Sequence, residues 1–164
     1  MKIRPVILCG GAGTRLWPKK SNHQAKQFID FGGWTLINKT FERIKSKVFD
    51  YPIISTNSKY IKDVKKALKK SRIKKYKIIL EPAKKNTAPA ILASALIKDV
   101  PYNQPLMYFA ADHLIEKPNK LITAINKNKS NLDEKNVFLF GIKPTSPSSA
   151  VSYTHLTLPT IDPV

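Results

Sequence analysis

Acidic residues are scarce in this 164-residue chain: 11 Asp and Glu stand against 29 Lys and Arg, for a formal net charge of +18. The excess is nearly all lysine. Such a balance admits anionic partners of every kind, so nucleic acid, acidic lipid and phosphorylated small molecules all fit, and charge alone selects none of them. Cysteine is scarcer still. Cys9 is the only one, which excludes an internal disulfide and favours a reducing compartment. There is no apolar run long enough to span a bilayer and no basic-then-apolar amino-terminal signal, so no membrane association is expected and a cytoplasmic location is. The length suits one domain with a real core and is short for two.

What is present is a regular alternation. Short apolar runs at Ile3–Leu8, Pro52–Thr56, Tyr76–Leu80, Leu106–Ala110 and Val137–Gly141 read as strands. Segments of helical period lie between and after them, near Thr35–Lys47, Ser58–Lys70, Thr87–Lys98 and Asn119–Asn131. Strand–helix alternation predicts an α/β fold with a mainly parallel sheet and helices on both faces. In such sheets ligands sit at the carboxyl ends of the strands, so chemistry is expected in the segments that follow them. The densest basic stretch carries Lys59, Lys62, Lys65, Lys66, Lys69 and Lys70, with Ile61, Val64 and Leu68 at helical spacing among them. That pattern predicts an apolar face toward the core and a solvated lysine face. No aromatic platform accompanies it, so nucleic-acid binding is not expected.

The last fourteen residues, VSYTHLTLPTIDPV, contain no Lys or Arg. The string resembles a translated transposase-based sequencing adapter. Residues 150–164 are therefore expected to be a non-native tail, with residues 1–149 the amino-terminal part of the domain. His155 and Asp162 are set aside as site residues on that ground.

The stretch LCGGAGTRLWP, residues 8–18, carries the chemistry. A strand that ends in Gly10-Gly11-Ala12-Gly13 lets backbone N–H groups approach a ligand with no Cβ in the way, a concavity suited to phosphate oxygens. Arg15 adds a planar donor fork for bidentate phosphate binding. The nucleoside-triphosphatase pattern is excluded because no Gly-Lys-Ser/Thr follows, and the dinucleotide fingerprint because Leu16 occupies the third glycine position. Cys9, one residue before this turn, has no nearby His to activate it and reads as a small core residue. Asp112 follows the strand Leu106–Ala110. A carboxylate there serves either as a turn or helix cap, or as a hard ligand for Mg²⁺.

Gly-Gly-x-Gly-Thr-Arg-Leu-x-Pro, with KQF from Lys26, resembles the signature of the sugar-nucleotide pyrophosphorylases. EPAKKNTAPAI (81–91), YFAADHLIEKP (108–118) and FGIKPTSP (140–147) are similar to further blocks of one branch, the mannose-1-phosphate guanylyltransferases, in the family's order across residues 1–149. The resemblance implies a Rossmann-like nucleotidyltransferase fold, here truncated, and a reaction of GTP with mannose 1-phosphate that gives GDP-mannose and pyrophosphate. It implies that Gly10, Gly11, Gly13 and Thr14 cradle the nucleotide, that Arg15 holds the departing pyrophosphate and that Lys26 bridges the reacting phosphates. By the same resemblance Asp112 binds the Mg²⁺ cofactor, and Asn86 and Thr87 lie in a block, with Glu81 and Lys85, beside the nucleotide. From its type and position alone Asn86 is also a helix cap, and both roles can coexist. His113 is given a supporting role, since an ionised phosphate nucleophile needs no general base.

The chain departs from the family pattern where Ala25 replaces the proline before KQF, where Lys85 replaces an arginine, and where Ala110 replaces the proline before Ala-Asp-His. The resemblance also implies a further sugar-binding half beyond residue 150, with a Glu-Lys-Pro block and a second metal-binding Asp. This chain is accordingly expected to bind nucleotide weakly and to turn over little substrate. UDP-, dTDP- or ADP-glucose chemistry is the near alternative, disfavoured by KQF and NTAPAI. A basic nucleic-acid module would account for the charge but not for the glycine turn with Arg15.

Overall fold

Residues 1–11, 25–83, 87–98, 100–133 and 136–141 are described by a computed structural model of the chain. Four of the expected strands form: β1 (Arg4–Leu8), β2 (Ile53–Asn57), β3 (Lys77–Glu81) and β4 (Leu106–Ala110). They make one wholly parallel sheet in the order β3-β2-β1-β4. Val6, Ile7, Ile53 and Ile54 are fully buried although neighbours along a strand point to opposite faces. Both faces are therefore covered, which is why β1 and β2 read as continuous apolar runs rather than alternating ones.

The helices are α1 (Leu36–Arg43), α2 (Ile61–Lys70), α3 (Thr87–Ala95) and α4 (Pro118–Asn128), shorter by a few residues than the periodicity predicts. Where the expected spans overrun, the chain turns more tightly. Ser58–Tyr60 and Lys129–Asn131 are 3-10 turns. Ile7, Ile54 and Phe109 lie on the face that packs against Ile37 and Phe41 of α1, Val64 and Leu68 of α2, and Ile125 of α4. The other face meets α3, where the Ser94 and Tyr108 hydroxyls are hydrogen-bonded at 3.1 Å. For α1, α2 and α3 this division is the one that right-handed crossovers give: β1 to β2 to β3 steps one way across the sheet, and β3 to β4 steps back.

Local chemistry fixes the helices. Thr35 caps α1, its Oγ1 accepting the Asn38 N–H at 3.2 Å. The Asn38 side chain then donates to the Ala67 carbonyl at 3.1 Å and to Ser71 Oγ at 2.8 Å, tying α1 to α2. On α2 Val64, Ala67 and Leu68 are buried while Lys62, Lys65, Lys66, Lys69 and Lys70 are exposed, the solvated lysine face that the spacing predicts. At the amino-terminal edge of the sheet, Arg4 is 3% exposed. Its guanidinium meets Asp50 Oδ2 at 2.9 Å, Gln104 Oε1 at 2.9 and 3.1 Å and the Tyr51 carbonyl at 3.1 Å. It also lies 3.6 Å from the centre of the Tyr51 ring.

The fold divides into two compact units, Met1–Glu134 and Lys135–Val164. In the second, the expected strand at 137–141 does not form: residues 136–141 have no strand structure. Val137 is 88% and Leu139 80% exposed. Apolar, strand-favouring residues become a strand only when a neighbouring strand supplies ladder bonds and burial, and among the described residues no strand pairs with 137–141.

Candidate functional site

All four strands run the same way, so their carboxyl ends share one edge. The winding reverses between β1 and β4, which makes their adjacent carboxyl ends the crevice where open α/β sheets hold ligands. Leu8 of β1 is paired with Ala110 of β4, and the Ala111 N–H donates to the Leu8 carbonyl at 3.1 Å. The chain beyond β1 is Cys9-Gly10-Gly11; beyond β4 it is Ala111-Asp112. Leu8, Gly11, Gln27, Ala111 and Asp112 line one small open hollow of about 80 Å³.

The two described glycines of the turn serve different ends. A Cβ on Gly10 would stand 2.8 Å from Glu81 Oε2 and 3.0 Å from Oε1. That carboxylate closes over the ends of β2 and β1, held by Ser55 Oγ, which donates to Oε1 at 2.7 Å. Among the described residues Gly11 has no atom within 4 Å of its would-be Cβ. Neither has a positive φ, which among the described glycines belongs to Gly32 and Gly33. So a side chain at Gly10 would have to displace the Glu81 carboxylate, whereas among the described residues Gly11 leaves open space above the turn.

Cys9 is buried, and burial pushes its thiol up to about 12, so it stays protonated. This removes any nucleophilic reading and leaves the packing role. Gln27 is the residue that sequence reading overlooked. It is 3% exposed, and its Nε2 reaches the Gly11 carbonyl at 3.1 Å and the Cys9 carbonyl at 3.5 Å. Thr56 Oγ1 donates to the same Cys9 carbonyl at 3.2 Å. The signal for Gln27 was its place inside KQF, where the lysine drew the attention. Arg43 was missed for a better reason: in a lysine-rich chain a basic residue reads as solvent-facing. Instead it is buried, its pKa lowered by desolvation, and it donates to the His113 carbonyl at 2.9 Å. Asp112 is half-buried between that anchored carbonyl and β4, and His113 is exposed.

Of the expected site residues, Gly10, Gly11 and Asp112 meet at this edge. Lys26 opens a 3-10 turn, Lys26–Phe28, with its side chain half-exposed beside the buried Gln27. Thr87 is the exposed first residue of α3. Gly13, Thr14, Arg15 and Asn86 lie outside the described residues. Among the described residues no group of three or more His, Cys, Asp or Glu gathers that could hold a metal ion. Asp112 therefore offers a single carboxylate, which fits a Mg²⁺ that draws its remaining ligands from substrate phosphates and water. Among the described residues no helix is long and apolar enough to cross a membrane.

A sequence profile for nucleotidyl transferases matches residues 4–153. The chain belongs to the nucleotidyl transferase family. Among its relatives in that family, a putative mannose-1-phosphate guanylyltransferase from Vibrio cholerae is 34% identical over 155 residues, covering 92% of this chain and 33% of that protein. A mannose-1-phosphate guanylyltransferase from Escherichia coli is 34% identical over 153 residues, covering 92% and 32%. The chain thus spans about a third of the length of these relatives. A crystal structure of mannose-6-phosphate isomerase from Helicobacter pylori superposes with a TM-score of 0.61 at 29% identity, over 79% of this chain and 46% of that one. The inositol-1-phosphate CTP transferase of T. maritima, at 17% identity and a TM-score of 0.58 over 82% of this chain and 50% of that one, shares the fold.

Proposed function

We propose that this chain is the nucleotide-binding part of a cytoplasmic mannose-1-phosphate guanylyltransferase, which joins GTP to mannose 1-phosphate and releases pyrophosphate. The observation that carries the reading is the meeting of the Gly10-Gly11 turn with Asp112 at the reversal point between β1 and β4. The names of the relatives support the choice of sugar and base. The attacking group is an already ionised phosphate, so the site has no proton to remove. Its task is to hold two repelling anions in line. Gly10, Gly11, Gly13 and Thr14 cradle the triphosphate through backbone donors, while Arg15 grips the two phosphates that leave. Lys26 neutralises charge between the reacting groups, and Asn86 and Thr87 contact the nucleotide. Asp112 would hold Mg²⁺, which would supply positive charge to the phosphate oxygens. Residues 150–164 are proposed to be foreign to the domain.

Calorimetric titration of the chain with GTP, CTP and dTTP, with and without Mg²⁺, tests the reading. GTP is expected to bind most tightly, and Asp112→Asn is expected to remove the Mg²⁺-dependent gain, about tenfold in affinity. Equal affinity for the three nucleotides, or an Asp112→Asn variant with an unchanged Mg²⁺ response, would overturn it.

A further inference from the structure

We infer that Gln27 is a positioning residue that sets the glycine turn for phosphate and couples it to Lys26. The inference rests on the reading of that turn as the phosphate site. Gly11 is exposed, and no described atom packs where its Cβ would be. Among the described residues no backbone bond ties it down. The 3.1 Å bond from Gln27 Nε2 to the Gly11 carbonyl is what anchors it to the core. Thr56 is the nearer donor to the Cys9 carbonyl, at 3.2 Å against 3.5 Å from Gln27, so the two side chains divide the turn between them. Across a trans peptide the N–H points opposite to its C=O. Pinning the Cys9 carbonyl inward thus directs the Gly10 N–H away from the side on which Thr56 and Gln27 sit. Because Gln27 follows Lys26 directly, the same bond fixes the backbone that carries the lysine. Gln27 also lines the hollow with Gly11 and Asp112.

A carboxylate in place of this amide would be nearly the same shape but would present only acceptors to two carbonyl oxygens. When protonated it could donate again. The test therefore uses Gln27→Glu, Gln27→Leu and, as a control on the Cys9 carbonyl alone, Thr56→Val. Amide ¹⁵N order parameters for Gly10 and Gly11 and GTP affinity are measured on the whole chain at pH 7.5 and pH 5, each relative to wild type at the same pH. At pH 7.5 both Gln27 variants are expected to loosen Gly11 and to weaken GTP binding about tenfold. On acidification Gln27→Glu recovers and Gln27→Leu does not, whereas Thr56→Val leaves Gly11 ordered throughout. A space-filling role would predict no pH dependence. A Gly11 amide unchanged by Gln27→Leu, or a Gln27→Glu variant identical to wild type at pH 7.5, overturns the inference. If Gln27→Leu does not fold, the comparison of Gln27→Glu at two pH values decides alone. If the variants loosen Gly11 while wild type binds no GTP, the positioning role stands and the nucleotide reading falls.

Discussion

Two adjacent glycines should respond to the same substitution in opposite ways. In Gly10→Ala the new methyl group would stand 2.8 Å from Glu81 Oε2, and ordinary contact begins near 3.4 Å, so the carboxylate must retreat by about 0.6 Å (3.4 − 2.8). Glu81 is not free to do so at no cost, because Ser55 Oγ holds its Oε1 at 2.7 Å and Ser55 is itself fully buried. Moving the carboxylate stretches a charge-assisted bond and under-satisfies a buried hydroxyl. We expect a loss of about 1–2 kcal/mol. Gly11→Ala meets no described atom within 4 Å and no positive φ, so stability should stay within about 0.5 kcal/mol of wild type. Its methyl group nevertheless occupies the space above the turn where phosphate is proposed to sit, and GTP affinity should fall. Urea denaturation and nucleotide titration of both variants provide the measurement, repeated in a Glu81→Ala background. There Gly10→Ala should cost less than about 0.5 kcal/mol, since the clashing group is gone. Equal destabilisation by the two glycine substitutions, or a Gly10→Ala cost that survives Glu81→Ala, would refute the contact reasoning. Unimpaired GTP binding by Gly11→Ala would refute the phosphate site.

Other consequences concern the core. Arg4→Ala removes one partner of a buried pair, and because Asp50 is 31% exposed and can hydrate, the expected loss is about 3 kcal/mol, the low end for such pairs, or about 6–12 °C in Tm. Burial works against the Asp50 charge, but the Tyr51 N–H, the Gln104 amide and Arg4 outweigh it and lower its pKa. Its contribution is thus full above the unfolded carboxylate value and fades as pH falls through the folded one. Arg4→Ala should flatten the acid limb of a stability-against-pH curve, and an unchanged limb would count against the pairing. The Cys9 thiol, raised from 9.0 to about 12, should resist iodoacetamide at pH 8 at least about a hundredfold better in the folded chain than in urea. Because the fold keeps that thiol neutral, its contribution is complete below about pH 9 and is lost between there and pH 12. Rapid native labelling would show Cys9 to be accessible.

The chain's pattern of apolar runs was enough to place β1 through β4 and all four helices, because a parallel sheet buried on both faces needs continuous apolar strands and its crossovers need amphipathic helices. Sequence also marked Gly10, Gly11 and Asp112, since the residue types that suit phosphate and a hard cation stand out directly after strands. It could not decide the fate of 137–141, where composition favours a strand but, among the described residues, no pairing forms. Nor could it separate the two glycines: Glu81, 71 positions away, folds against Gly10, whereas among the described residues nothing folds against Gly11. Gln27 and Arg43 acquired their places only when the chain closed, one reaching back to the turn after β1 and the other to the carbonyl after Asp112. Local spacing determines which side chains can share a face, whereas a buried hydrogen bond depends on which distant carbonyl folding leaves without a partner.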